Sequence, residues 1–277
     1  MLRHVASRGF ERLPVPVNNL SGKSFTRWDG LLWELAPWLP GKADYRRLPR
    51  PAKLSAALEV LAEFHLAAAS FPTNMPAIGP SPGVAWRKER LSRLIAGGQE
   101  RLRASLGRSP CGEFKQRAAV ILNRFSTVAA PLAEKIENLD EVAVPLQPCI
   151  RDVWHEHILF RENQVTGLID FGAMRVDNVA CDVARLLGSL ALDDAAGWQQ
   201  GLAAYEAIRP LSKPERRLVV AFDQTAVAMG GLQWIEWCCV EGRQFENTHG
   251  VLSRLDEFIE RLDHWAAPRR SGVPWES

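Results

Sequence analysis

Two aspartates, Asp152 and Asp170, frame a stretch whose side-chain types and spacing suit chemistry on a charged group. It reads Cys149-Ile150-Arg151-Asp152-Val153-Trp154-His155-Glu156-His157-Ile158-Leu159-Phe160. After a turn at Glu162-Asn163 it continues as Gln164-Val165-Thr166-Gly167-Leu168-Ile169-Asp170-Phe171-Gly172. One carboxylate precedes a short β-type run and the other closes the next. If the two runs pair as a hairpin, both acids reach the same end of it. There one can hold a divalent cation and the other can accept a proton. Carboxylates at strand ends also arise from turn formation, so the pair alone leaves both readings open. His155 and His157, two residues apart, offer a third reading as metal ligands on one strand face. A binuclear hydrolase needs more histidines, and His4, His65, His249 and His264 lie in helical or terminal sequence without ligand spacing.

The elements that must position these groups follow from periodicity. Leu54, Ala57, Leu58, Leu61 and Phe64-His65 recur at helical spacing, predicting an amphipathic helix to about residue 69. A Pro-rich loop over 72–83 separates it from helices over about 85–106 and 112–136. β-type runs cover 142–150, 157–160 and 164–169. Helices then follow over about 178–191, 194–208, 213–240 and 250–266, with a frayed tail from Pro268. In the first fifty residues, prolines extend 13–17 and an apolar run at 31–35 has strand length, predicting two strands of a small sheet followed by a linker. A short strand pair is marginal unless it packs on something. Here the surrounding helices supply that support and hold its end loops rigidly.

Composition bounds the function. The chain has 277 residues, 47% of them hydrophobic and 24% charged, enough for a sizeable globular core. A net charge of +2 argues against a general grip on nucleic acid. The basic clusters Arg46-Arg47 and Arg87-Lys88-Glu89-Arg90 read as solvated helix faces. No run of about 18 uninterrupted apolar residues predicts a spanning helix, and the amino terminus lacks an apolar signal core. Five cysteines, none in a Cys-x-x-Cys pair, argue against a disulfide framework or zinc ribbon and fit a cytoplasmic location. The oligomeric state leaves no signal.

The stretch 149–172 resembles the aminoglycoside phosphotransferase and choline kinase family, whose catalytic loop reads His-Gly-Asp-x-x-x-x-Asn and is followed by Ile-Asp-Phe/Trp. Ile150-Arg151-Asp152 occupies the first three positions, His157 the Asn position, and Ile169-Asp170-Phe171 the later motif. Asp182-Val183-Ala184 is similar to the family's Asp-Leu-Ala. Weaker likeness reaches back to Leu32-Trp33-Glu34-Leu35-Ala36-Pro37-Trp38-Leu39-Pro40-Gly41, which looks like the hinge strand between lobes. The resemblance implies an α+β, protein kinase-like fold. It has a mostly helical large lobe over 46–277, with a small β-hairpin catalytic region. Residues 1–45 would be a reduced N-terminal lobe, the remnant of the nucleotide lobe with its hinge strand. It further implies ATP and Mg2+ as cofactors, with a nucleotide and a small-molecule acceptor as partners. Asp152 would take the acceptor hydroxyl's proton. Asp170 and His157 would hold the metal, and Asp182 would support the loop. Glu34 and Ala36 would line the nucleotide hinge. Asp223, Trp234, Glu236 and Trp237 would offer an acidic and aromatic acceptor pocket, although two tryptophans at i, i+3 also read as core packing.

Two departures from the pattern carry consequences. Imidazole prefers softer ions than magnesium, so His157 implies an altered metal site, a water-mediated contact or a contact to substrate. Before Leu31 there is neither a glycine-rich loop nor a strand lysine; Gly9, Gly22 and Gly30 are isolated and Lys23 follows a turn. The alternatives are a start lying upstream, nucleotide binding from the large lobe alone, or a catalytically inactive kinase-like binding protein.

Overall fold

A computed structural model describes residues 1–266; the tail expected from Pro268 lies outside them. The chain begins with α1 (Leu2–Ser7), then the strands β1 (Thr26–Trp28) and β2 (Leu31–Trp33). Helix α2 (Pro51–Ala68) follows, then β3 (Ile78–Pro80), α3 (Pro82–Arg93), α4 (Gln99–Ser105) and α5 (Gly112–Glu137). The central β segments are β4 (Ala143–Pro145), β5 (Gln147–Cys149), β6 (Ile158–Arg161), β7 (Gln164–Leu168) and β8 (Arg175–Asp177). The chain continues through α6 (Ala180–Leu190), α7 (Ala195–Glu206), α8 (Lys213–Ile235) and α9 (Thr248–Ala266).

Two compact units result: Met1–Ile78 with Pro145–Glu215, and Gly79–Val144 with the described residues from Arg216 on. In the first, α2 is the hub and packs on α1, α6, α7, β5 and β7. Its buried face carries Leu54, Ala57, Leu58, Leu61 and Phe64, the residues whose spacing predicted the helix. In the second, α5 packs on α9 and α3, burying Phe114, Ile121, Leu122 and Phe125 of α5 with Leu255 and Leu262 of α9. The segment Lys213–Val240 is apolar and long enough to cross a membrane, but 72% of its most apolar window is buried in the protein. It is built as a core helix.

The structure corrects several expectations. Residues 13–17 are not a strand; the amino-terminal sheet is the hairpin β1–β2, paired Thr26↔Trp33 and Trp28↔Leu31. Its turn, Asp29-Gly30, has φ of 49° and 73°, the double positive φ of a type I′ turn. The extended segment still touches that sheet's end, through Val17 N–H donating to Leu35 O at 2.8 Å. The helix expected over 85–106 breaks between α3 and α4, where Gly97 has φ 110°, a value glycine tolerates. The segment 213–240 is α8 followed by a π-turn at Glu236–Val240. Strand β8 was not anticipated; it pairs antiparallel with β5.

After β2 the chain docks on the central hairpin. Lys42 and Phe160 exchange backbone hydrogen bonds at 3.0 and 2.9 Å, and Lys53 of α2 pairs with Asp44 at 2.6 Å. Close approach requires Gly41: its φ is 114°, and a Cβ there would stand 2.9 Å from Phe160 O. Gly41→Ala should therefore lower unfolding free energy by about 1–3 kcal/mol. Urea denaturation reads this, and a loss under 0.5 kcal/mol would show that the docking is loose.

Candidate functional site

The segment 150–157 has little regular structure of its own, yet it is held at both ends. At its root, Asp182 in the first turn of α6 accepts hydrogen bonds from Ile150 N–H and Arg151 N–H, both at 2.6 Å, one on each carboxylate oxygen. Asp182 is fully buried. The oxygen that receives Ile150 also lies 3.1 Å from His65 Nε2, and His65 Nδ1 lies 2.7 Å from the Tyr205 hydroxyl. A carboxylate only accepts, so Nε2 carries the proton and Tyr205 donates to Nδ1. Helices α2, α6 and α7 thus converge on the root of one loop.

At the other end, hairpin β6–β7 runs antiparallel with Ile158 opposite Leu168, and a register shift falls between Leu159 and Phe160. Ile169 N–H donates to His157 O at 3.0 Å. Asp152 and Asp170 therefore lie beyond the same end of the hairpin, and His157 stands between them. Its Nδ1 is 2.8 Å from the Asp152 carbonyl oxygen and its Nε2 is 3.5 Å from Asp170 Oδ2. Both carboxylates are solvent-accessible, with side chains 51% and 59% exposed. His155 and His157 lie in a 3-10 turn rather than on a strand face. The His155 ring packs edge-on against Trp154.

Two backbone positions here are left-handed: Arg151 at φ 68° and Asp170 at φ 63°. Aspartate tolerates this region better than arginine. Arg151 stands where the resembling family has glycine; its N–H is held by Asp182 and its Nε lies 3.8 Å from Asp177 Oδ2.

Sequence reasoning missed three participants. Arg185, one turn after Asp182, places Nη2 3.0 Å from Asp152 Oδ1. Trp154 donates its indole N–H to His157 Nε2 at 2.8 Å. His65 was read only as part of a helix, though a polar side chain one turn after Leu61 on an apolar face was the available signal. A metal reading of the buried trio His65, Cys149 and Asp182, whose ligand atoms lie within 4.8 Å of one another, fails on chemistry. Both Asp182 oxygens already receive N–H donors, and both His65 nitrogens are engaged, Nε2 with Asp182 and Nδ1 with the Tyr205 hydroxyl; burial also pushes the Cys149 thiol up to about 11.

The fit of Asp170 to a divalent cation is better. It is an exposed hard oxygen donor with a second acceptor, His157 Nε2, facing it. That nitrogen's lone pair is occupied by Trp154 as the site stands. Glu34 is exposed and Ala36 half-buried, both just beyond β2. The residues expected to meet an acceptor lie in the second unit. There Asp223 pairs with Arg261 at 2.7 Å, Glu236 pairs with Arg90, and Trp234 and Trp237 pack with Phe245.

A family model described as the phosphotransferase enzyme family matches residues 1–217. The homoserine kinase of Polaromonas naphthalenivorans (strain CJ2) is 24% identical over 232 residues, 81% of this chain and 65% of that protein. The homoserine kinase of Cupriavidus taiwanensis is 26% identical over 226 residues, 78% of this chain and 60% of that protein. The match thus spans 60–65% of these two relatives' length. Among solved structures, an aminoglycoside phosphotransferase from Alicyclobacillus acidocaldarius aligns with a TM-score of 0.60 at 21% identity, covering 94% of this chain and 81% of that one. An amicoumacin kinase in complex with AMP-PNP and Ca2+ aligns with a TM-score of 0.60 at 14% identity, covering 98% and 78%. These likenesses show a shared kinase-like fold.

The loop's root makes two predictions. Asp182→Asn turns one acceptor into a donor facing a backbone N–H, and should lower stability by about 3 kcal/mol; a shift of the urea midpoint worth under 1 kcal/mol would refute the clasp. Burial also lowers the His65 imidazole below its ordinary 6.5. The unfolded chain then binds a proton that the folded protein refuses, so stability is full above pH 6.5 and declines as pH falls below it. His65→Gln should flatten that decline, and an unchanged slope in pH-dependent denaturation would exclude His65 as its source.

Proposed function

This chain belongs to the phosphotransferase enzyme family, and from that premise we propose that it moves the γ-phosphoryl group of ATP to a hydroxyl of a small molecule. The observation that carries this reading is the end of hairpin β6–β7, where Asp152 and Asp170 flank a single imidazole. Asp152 is the base: its exposed carboxylate accepts the hydroxyl proton as that oxygen forms its bond to the γ-phosphorus and the bond to the β-phosphate oxygen breaks, releasing ADP. Arg185 holds the Asp152 carboxylate in place until the acceptor arrives. Asp170 holds the cation, with His157 beside it. A bound Mg2+ would neutralise phosphate charge, the main demand of this reaction. Asp182 acts through the backbone, fixing the loop from which Asp152 projects.

The proposal extends to residues outside the loop. Residues 1–45 are read as part of a nucleotide lobe, with Glu34 and Ala36 at the hinge, and the described residues from 46 on as the large lobe. Asp223, Trp234, Glu236 and Trp237 are read as acceptor-contacting, with ring stacking the larger contribution because both acids already have arginine partners. The homoserine kinase relatives make a small hydroxylated amino acid one acceptor to test. The location is taken as cytoplasmic.

The test is ADP formation from ATP and Mg2+ across a panel of hydroxylated amino acids, amino sugars and aminoglycosides. Asp152→Asn should reduce turnover by about 10²–10⁴-fold with little change in nucleotide binding. Asp170→Asn should reduce both turnover and Mg2+-dependent nucleotide binding. Absence of turnover with every acceptor, together with nucleotide binding indifferent to both substitutions, would leave the inactive binding protein as the reading.

A further inference from the structure

We propose that Trp154 is a positioning residue that makes the candidate cation site selective for hard ions, by occupying the one nitrogen of His157 that could ligate a metal. The inference rests on the reading of Asp170 as the cation ligand.

The argument begins with the imidazole's two nitrogens. A neutral ring has one N–H and one lone pair. His157 Nδ1 faces the backbone oxygen of Asp152 at 2.8 Å, and a carbonyl oxygen only accepts, so the proton is on Nδ1. The lone pair is then on Nε2. Trp154 Nε1, which only donates, stands 2.8 Å from it. The ring is satisfied on both sides, and the satisfaction comes from within the same short turn: His157 N–H donates to Trp154 O at 2.9 Å.

Asp170 Oδ2 lies 3.5 Å from the same Nε2. With the proton on Nδ1, this is an approach of two acceptors with no hydrogen between them. Such a pair favours a cation, and without the indole the nitrogen would join Asp170 in holding one. Imidazole nitrogen suits zinc, nickel and cobalt, whereas carboxylate oxygen suits magnesium. A free Nε2 would therefore move the site's preference toward the softer ions. The indole N–H opposes this by engaging the lone pair. The cation is left with Asp170 oxygen, water and whatever oxygens a substrate brings, which is the ligand set magnesium prefers.

The indole is braced for the task. It packs edge-on to His155, with centroids 4.7 Å apart, and His155 is itself anchored by its backbone N–H on Ser189 Oγ at 3.0 Å. The Arg185 guanidinium lies 5.9 Å from the indole centroid while gripping Asp152. Displacing the indole would therefore disturb the ion pair on the proposed base as well, a second reason for a soft ion to be disfavoured.

The test compares Co2+ and Mg2+, each added alone to the full chain and followed by calorimetry and, for cobalt, by its visible spectrum. Trp154→Phe keeps an aromatic ring and removes the N–H. Co2+ should bind about threefold to tenfold more tightly, the worth of one hydrogen bond, while Mg2+ affinity changes less than twofold. Trp154→Phe combined with His157→Asn should lose the gain. Nitrogen NMR of the unsubstituted, metal-free protein should show His157 with its proton on Nδ1, a readout that does not depend on how the variant folds. A proton on Nε2, an unchanged Co2+ to Mg2+ ratio in folded Trp154→Phe, or a gain that survives loss of His157 would each overturn the proposal. Mg2+ binding untouched by Asp170→Asn would instead refute the reading of the site on which it stands, a result distinct from the tautomer and the ratio.

Discussion

The carboxylate of Asp182 is the constraint on which the site's geometry turns. A buried anion is tolerated only when it is fully hydrogen-bonded, and here the donors are the backbone N–H groups of Ile150 and Arg151 and the imidazole of His65. These donors answer two separate needs. The two amides belong to a loop with no strand or helix to satisfy them. The imidazole sits on the buried face of α2, where an unpaired nitrogen would be destabilising. The loop gains a fixed root, the anion gains its partners, and α2 gains a polar tie to α6 and, through Tyr205, to α7. Removing any one participant leaves a buried polar group unmet, so the network holds together or fails together.

From that root the rest of the site follows by short steps. Arg151 is held left-handed while its amide points at Asp182, and the next residue, Asp152, emerges into solvent on the far side. The chain then returns through a single 3-10 turn to β6, and His157, at the end of that turn, ties the Asp152 carbonyl back to the hairpin. Hairpin β6–β7 sets Asp170 beside the same ring. Two exposed carboxylates would otherwise repel one another and wander. Here one is restrained by Arg185 and the other is carried on a backbone conformation that Asp adopts more readily than most residues.

What the sequence made legible was spacing along the chain, and what it hid was geometry across it. The order of Asp152, Asp170 and Asp182 was readable because all three belong to one continuous stretch and sit at the ends of short elements. Helix α2 was readable because its buried face repeats at 3.6 residues. Arg185 was not, because a basic residue on a helix usually points to water, and only folding brings this one to Asp152. Trp154 was not, because ten tryptophans in a chain of this size are read first as core. Asp29-Gly30 carries a legible turn signal, whereas the proline-extended segment before it, where Val15 and Val17 alternate with prolines, has strand-like sequence but lies outside the sheet. Asp223 and Glu236 show the converse: their spacing suggested a charged surface, and the fold supplies each with an arginine.

The departures from the resembling family's loop are explained by which atoms do the holding. At Ile150 and Arg151 the contact to Asp182 is made by backbone N–H groups, so the side chains there are free to change while the amides stay in register. Replacing a glycine with Arg151 adds left-handed strain of order 1 kcal/mol, and two charge-assisted bonds at the loop root are strong enough to absorb it. His157 is different, because there the side chain itself makes the contact. An imidazole can donate to the Asp152 carbonyl through Nδ1, as an asparagine amide could through its nitrogen, but it also introduces a soft ligand atom next to Asp170. A loop that accepted this histidine had to deal with its second nitrogen. The indole three residues upstream, within the same turn, does so with the only polar atom its side chain has.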